Sequence, residues 1–237
     1  MALNKKRFKR LLRTLLILLA LLGLVYGLGW SKLISVKKIS FTGTNQVLVL
    51  QNSLQAAHVD LQPGIPLARV DVRAINRIAQ QLGWIKESEI SRNWLTGLVS
   101  IHVIERMPVA SYLGADGRTQ YFDALGSSFS SPAQYLNLPT ITFTQSTAQT
   151  RVAAATLVAA LPDDLLGLMQ NLWVNSPEKI VMKASVSSPQ EKTITINWGG
   201  INDLPLKVKV LRALLLRPEN AKHHLFDLSN PLAPITR

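Results

Sequence analysis

Residues 98–110 read LVSIHVIERMPVA. Val99, Ile101 and Val103 fall on one face of an alternating run, so Leu98–Glu105 reads as a strand with an apolar side. The run is broken at Pro108, which cannot donate to a ladder. One folded unit therefore closes here and a second opens.

Working outward toward the N-terminus, residues 87–95 alternate weakly and Thr96-Gly97 supplies a turn between two strands. Asp71 stands as N-cap ahead of a helix over 72–82, with Ile75, Ile78, Ala79 and Leu82 on one side and Gly83 to end it. Gln62-Pro63-Gly64 is a turn. Val47, Leu50, Leu54 and Ala57 recur at helical spacing over 46–59, and residues 36–43 (VKKISFTG) read as a strand. The order strand, helix, helix, strand, strand over 36–105 predicts an α+β layering of helices on a three-stranded sheet.

Working toward the C-terminus, residues 109–113 and 119–122 flank Gly114-Ala115-Asp116-Gly117, a hairpin signal. Residues 147–161 are alanine-rich and read as a helix stopped before Pro162, and Asp163-Asp164 sit at a helix start. Residues 172–175, 179–184 and 193–198 read as strands. Residues 203–217 read as a helix capped by Asp203 and ended before Pro218, and 224–229 as a final short strand. A β-rich second domain with two or so helices is predicted over 106–237.

The N-terminus has a different character. Lys5, Lys6, Arg7, Lys9, Arg10 and Arg13 precede an uncharged leucine-rich run over 14–31. Eighteen residues of helix reach about 27 Å, close to a hydrocarbon core of about 30 Å. This predicts a transmembrane helix over 14–31, with Tyr26 and Trp30 at its distal interface. The basic bias places the tail, 1–13, in the cytoplasm and residues 32–237 beyond the membrane. The rival is a cleaved signal peptide. No Ala-x-Ala site is present, although Gly27-Leu28-Gly29 is a small-x-small triplet, and the run exceeds the about 7–15 residues of a signal core.

The chain carries 26 Lys+Arg against 14 Asp+Glu, and residues 1–38 hold nine of the positive charges with no acid. The remainder is nearly balanced, which excludes a nucleic-acid-binding patch on the folded part and implies no nucleic-acid partner. The absence of cysteine excludes disulfides, thiolate catalysis and cysteine metal sites. His58 falls late in a helix, His102 in a strand, and the adjacent His223 and His224 would point to opposite faces of a strand. There is no Gly-x-Ser-x-Gly elbow, no placed Ser-x-x-Lys pair, no paired acids and no phosphate-cradling glycine loop. No catalytic, cofactor-binding or metal residue, no cofactor and no small-molecule substrate is assigned. A binding or assembly role is favoured over an enzyme.

In this order the chain resembles the FtsQ/DivIB family of bacterial cell-division proteins. Residues 36–43 are similar to the opening strand of its POTRA domain, and Leu67-Ala68-Arg69-Val70-Asp71 to the link into its second helix. Glu105-Arg106-Met107-Pro108-Val109-Ala110 resembles the Glu-Arg-x-Pro-x-Ala junction that ends that domain. Phe122-Asp123-Ala124-Leu125-Gly126 resembles the hairpin that follows, and residues 206–216 with Phe226-Asp227-Leu228-Ser229 the closing helix and last strand. The chain departs from the pattern at Thr142-Phe143, where a glycine is frequent, and at Ser229-Asn230, where family members carry partner-anchoring aromatic and basic residues.

The resemblance implies a POTRA domain over 36–105 and an FtsQ-type β domain over 106–237. It implies a non-catalytic, single-pass scaffold at the division septum of the cytoplasmic membrane, its C-terminal domains extracytoplasmic. Implied partners are small coiled-coil proteins of the FtsB and FtsL type and, through them, the septal peptidoglycan synthase complex. The route implied is strand addition at the last strand, with Phe226, Leu228, Ser229 and Asn230 as partner-binding residues and Arg217 as a charge partner. Phe226 and Leu228 can equally be core residues, since one face of an edge strand packs inward. The basic face of Arg69, Arg73 and Arg77 fits an acidic partner, lipid, or simple solvation. The alternatives carried are a POTRA-containing secretion or membrane-assembly component and a signal-anchored periplasmic enzyme.

Overall fold

The computed structural model describes residues 5–29, 34–187 and 191–237. The chain divides into two compact units, Met1–Glu105 and Arg106–Arg237.

The first unit begins with α1 (Lys5–Gly29). Here the predicted transmembrane helix is corrected: no helix among the described residues is long and apolar enough to cross a membrane. The physical reason is length. The described helix holds sixteen uncharged residues, from Thr14 to Gly29, which reach about 24 Å, short of the about 30 Å of a hydrocarbon core. Trp30 and Ser31 of the predicted span, and residues 1–4 of the tail, lie outside the described residues. The leucines of α1 from Leu11 to Leu24 are exposed.

Next come β1 (Lys38–Thr42), α2 (Val47–Ala56), a one-turn helix at Leu67–Arg69, α3 (Val72–Gln81), β2 (Ile85–Asn93) and β3 (Leu98–Glu105). The sheet order is β1-β3-β2, with β1 parallel and β2 antiparallel to β3. The alternation that named β3 is its burial pattern: Val99, Ile101 and Val103 are buried, together with Leu50 and Leu54 of α2 and Ile75 and Ala79 of α3. Asp71 caps α3 by accepting from the Ala74 N–H at 2.9 Å. His58, read as late in a helix, instead lies beyond the end of α2 in the left-handed region, φ 54°.

The second unit holds β4 (Ala110–Leu113), β5 (Thr119–Phe122), β6 (Ser128–Phe129), β7 (Thr140–Phe143), α4 (Ala148–Ala160), α5 (Asp163–Leu166), β8 (Met169–Ser176), β9 (Lys179–Ser187), β10 (Glu191–Gly199), α6 (Leu204–Leu215), a one-turn helix at Pro218–Lys222, β11 (Leu225–Asp227) and β12 (Ile235–Thr236). All nine strands form one sheet in the order β12-β11-β10-β9-β8-β7-β4-β5-β6. Its core joins Leu157 of α4 and Leu211 of α6 to Phe122, Leu172, Ile180 and Trp198 of the strands. Thr147 caps α4 in a reciprocal box with Thr150. Asp203, read as the side-chain cap of α6, caps nothing with its carboxylate: it sits in the left-handed region at φ 55°, and its carbonyl accepts the Lys207 N–H.

Candidate functional site

The sequence points to the C-terminal end of the second sheet. β11 runs parallel to β10, with Phe226 beside Ile196 and Asp227 beside Asn197. The backbone N–H of Leu228 donates to the Asn197 carbonyl at 2.8 Å. Phe226 and Leu228 are 0% exposed, so both side chains belong to the core.

β11 is also not the edge of the sheet, as its place as last predicted strand would make it. β12 pairs with it antiparallel, Phe226 opposite Thr236 and Asp227 opposite Ile235. Leu225 and Arg237 exchange both backbone bonds, at 2.8 and 3.0 Å. By antiparallel alternation, the N–H and C=O of Thr236 then face away from β11. The sheet thus ends on β12, whose outward backbone is the true edge. Pro231 and Pro234 hid this strand, because prolines so close together read as a loop.

The loop between β11 and β12 is built by side chains. The Asp227 carboxylate accepts from the Ser229 N–H at 2.9 Å, from the Ser229 hydroxyl, and from Asn197 Nδ2 at 3.0 Å. Burial works to raise this carboxyl, but these bonds, with the charge of Lys207, hold it below the usual carboxylate range. Lys207 is itself 2% exposed and donates Nζ to the carbonyls of Trp198 and Gly200 at 2.7 and 2.8 Å. Its burial pushes the ammonium pKa down. Gly199, at φ 62°, lies so close that a Cβ there would sit 3.0 Å from the Cα of Ser229. Asn230 Oδ1 accepts from the Leu232 N–H at 3.2 Å, turning the chain back. Leu232 and Ile235, which sequence reasoning passed over, are 84% and 49% exposed.

Of the five predicted partner-binding residues, Arg217 and Phe226 meet at one cleft of about 360 Å³, with Lys192 and Leu216. Ser229 and Asn230 lie beyond the other end of β11. Arg217 is exposed, 3.5 Å from Glu219. Lys192 Nζ donates to the His223 carbonyl at 3.1 Å, and His223 Nδ1 lies 2.8 Å from Thr236 Oγ1, so the histidine fastens β12. The chemistry available here is a backbone edge flanked by exposed aliphatic side chains. Among the described residues, no group of three or more His, Asp or Glu side chains comes close enough to hold a metal ion.

No family model matches this chain. It is similar to a curated cell division protein FtsQ of Mycobacteroides abscessus, 25% identical over 240 residues, covering 95% of this chain and 70% of that protein. This likeness runs through both units and supports the resemblance to the FtsQ/DivIB family.

Proposed function

We propose that this protein is a non-catalytic scaffold of bacterial cell division, associated with the membrane at the septum, that recruits other division proteins. The observation that carries this reading is the chain-long likeness to a cell division protein FtsQ. The partners would be coiled-coil proteins of the FtsB and FtsL type, linking to the septal peptidoglycan synthase complex.

The docking element in this reading is β12. A partner strand pairs with the outward N–H and C=O of Thr236, and its side chains alternate against Leu232 and Ile235. Phe226 and Leu228 act from beneath, by holding β11 in place. Thr236→Pro removes the outward donor while leaving the bonds between Arg237 and Leu225 in place. Thr236→Val, which loses the hydroxyl but keeps the N–H, is the control. We expect Thr236→Pro to lose capture of the FtsB-type partner and Thr236→Val to keep it. Equal capture by both variants would exclude strand addition here. Depletion of the protein should leave cells elongated and undivided, and normal division after depletion would exclude the scaffold role itself.

A further inference from the structure

The first unit carries a second surface that the docking edge does not use. An open cleft of about 760 Å³ lies between the start of α3 and the far end of β2, lined by Arg69, Asp71, Arg73, Arg92 and Trp94. Arg92 is fixed by donating Nη1 to the carbonyls of Leu67 and Val70 at 3.1 and 3.0 Å, and its guanidinium lies 5.3 Å from the centre of the Trp94 ring. Asp71 is the one acid of the lining, and its Oδ1 is engaged by the Ala74 N–H as the cap. Three guanidiniums and the first turn of α3 therefore give the cleft a positive field.

Beside it stands an apolar tip. Trp94 is 43% and Leu95 93% exposed. The tip is fastened to the segment that follows α1: the Gly97 carbonyl accepts from the N–H groups of Lys37 and Lys38 at 2.8 and 3.3 Å. Gly97, at φ 73°, has no room for a Cβ, which would fall 2.7 Å from the Ser35 carbonyl oxygen. Ser35 in turn bridges Pro66, just before Leu67–Arg69. Only six residue steps separate Ser35 from Gly29 at the end of α1, at most about 21 Å of chain. Arginine cleft, tryptophan–leucine tip and the exposed Lys37 and Lys38 thus gather where the leucine-rich helix joins the unit.

We propose that this end of the first unit rests on the membrane surface, with Arg69, Arg73 and Arg92 taking the phosphates of anionic phospholipid headgroups and Trp94 and Leu95 entering the interface. The inference rests on the membrane association proposed above. Guanidinium matches phosphate geometry through paired N–H donors. A basic residue held at an anionic bilayer is drawn to it, and a tryptophan beside it favours the headgroup level.

The chain has no cysteine, so Thr96→Cys gives one labelling site at the tip for an environment-sensitive fluorophore. The labelled full chain is mixed with phosphatidylcholine vesicles, with or without phosphatidylglycerol. We expect a blue shift of emission only on the vesicles containing phosphatidylglycerol, reversed by high salt. Arg69→Gln with Arg73→Gln, or Leu95→Asp alone, should abolish the shift with circular dichroism unchanged. Arg69→Lys with Arg73→Lys should retain most of it. An equal shift on neutral vesicles, its survival in the glutamine variant, or the same shift from inorganic phosphate without vesicles would overturn the proposal. Flotation of the chain with neutral vesicles separately reads the membrane association. If it floats but the tip ignores lipid charge, only the cleft is wrong. If it floats with neither vesicle, both readings fall.

Discussion

Two exposed surfaces of this chain differ in what they offer. Around Trp94 the groups presented are side chains: three arginines, an indole and a leucine tip over a short, well-paired sheet. At β12 the groups presented are backbone, and the strongest apolar side chains of that region, Phe226 and Leu228, point inward. A side-chain surface is changed by altering charge and leaves the fold untouched. A backbone edge is fixed by the core beneath it and can be removed only by altering the strand.

The largest effects should therefore come from beneath β12. Phe226→Ala and Leu228→Ala each open a cavity in a fully buried position, and urea denaturation should show losses of about 3–5 and 2–5 kcal/mol. Leu232→Ala, four residues beyond Leu228 but exposed, should change stability by no more than about 0.5 kcal/mol while weakening partner capture. If Phe226→Ala cost no more than Leu232→Ala, the division into supporting core and presented edge would be wrong.

Smaller, but pH-dependent, is the contribution of the carboxylates that tie loops to the second sheet. Asp123 lies 2.5 Å from Arg106 and accepts from the N–H groups of Leu125 and Ser127. Burial opposes its charge, but the Arg106 bond and the two N–H groups hold it below the usual carboxylate range, as the bonds to Asp227 do there. Both folded-state values are depressed, so the stability they contribute is complete above the unfolded-state value of about 3.9 and is lost as pH falls through the folded-state values. Denaturation midpoints should hold level from neutral pH to about 5 and drop below about 4. Asp123→Asn should flatten part of that drop and cost about 1.5–3 kcal/mol at neutral pH. A midpoint that rises on acidification would contradict this reading. Exposed Asp164, paired with Arg212 across the surface, should contribute no measurable slope despite its own lowered pKa.

What could be read from sequence follows the same contrast. Period and caps are local, and they placed β3 at its observed bounds and Asp71 at the head of α3. The alternation through Phe226 and Leu228 left core and partner roles both open, since it says which residues share a face but not what covers the strand. β12 escaped because two residues following a proline carry no period, and β6 escaped for the same shortness. In α1 composition located the leucines, but composition does not fix how many of them one helix carries across, on which the length depends. Arg69 and Arg73 were visible as a basic face. Arg92 and Trp94 join them only through the packing of β2 beside α3, a relation with no signature in the chain between them.

The smallest effect expected on stability is the one that discriminates best between the two kinds of surface. Arg217 and Glu219 are both exposed, 61% and 69%, and 3.5 Å apart, so Arg217→Ala should shift the unfolding free energy by less than about 0.5 kcal/mol. At the cleft it shares with Phe226, Arg217 can still speed the approach of an acidic partner. Its removal should then slow association at low salt and leave dissociation nearly unchanged. Thr236→Pro should do the reverse, because it removes a bond made only after docking. Surface plasmon resonance at two salt concentrations separates these outcomes. Should Arg217→Ala accelerate dissociation as much as Thr236→Pro, the C-terminal surface would recognise its partner through side chains, as the Trp94 face does, and the contrast between them would fail.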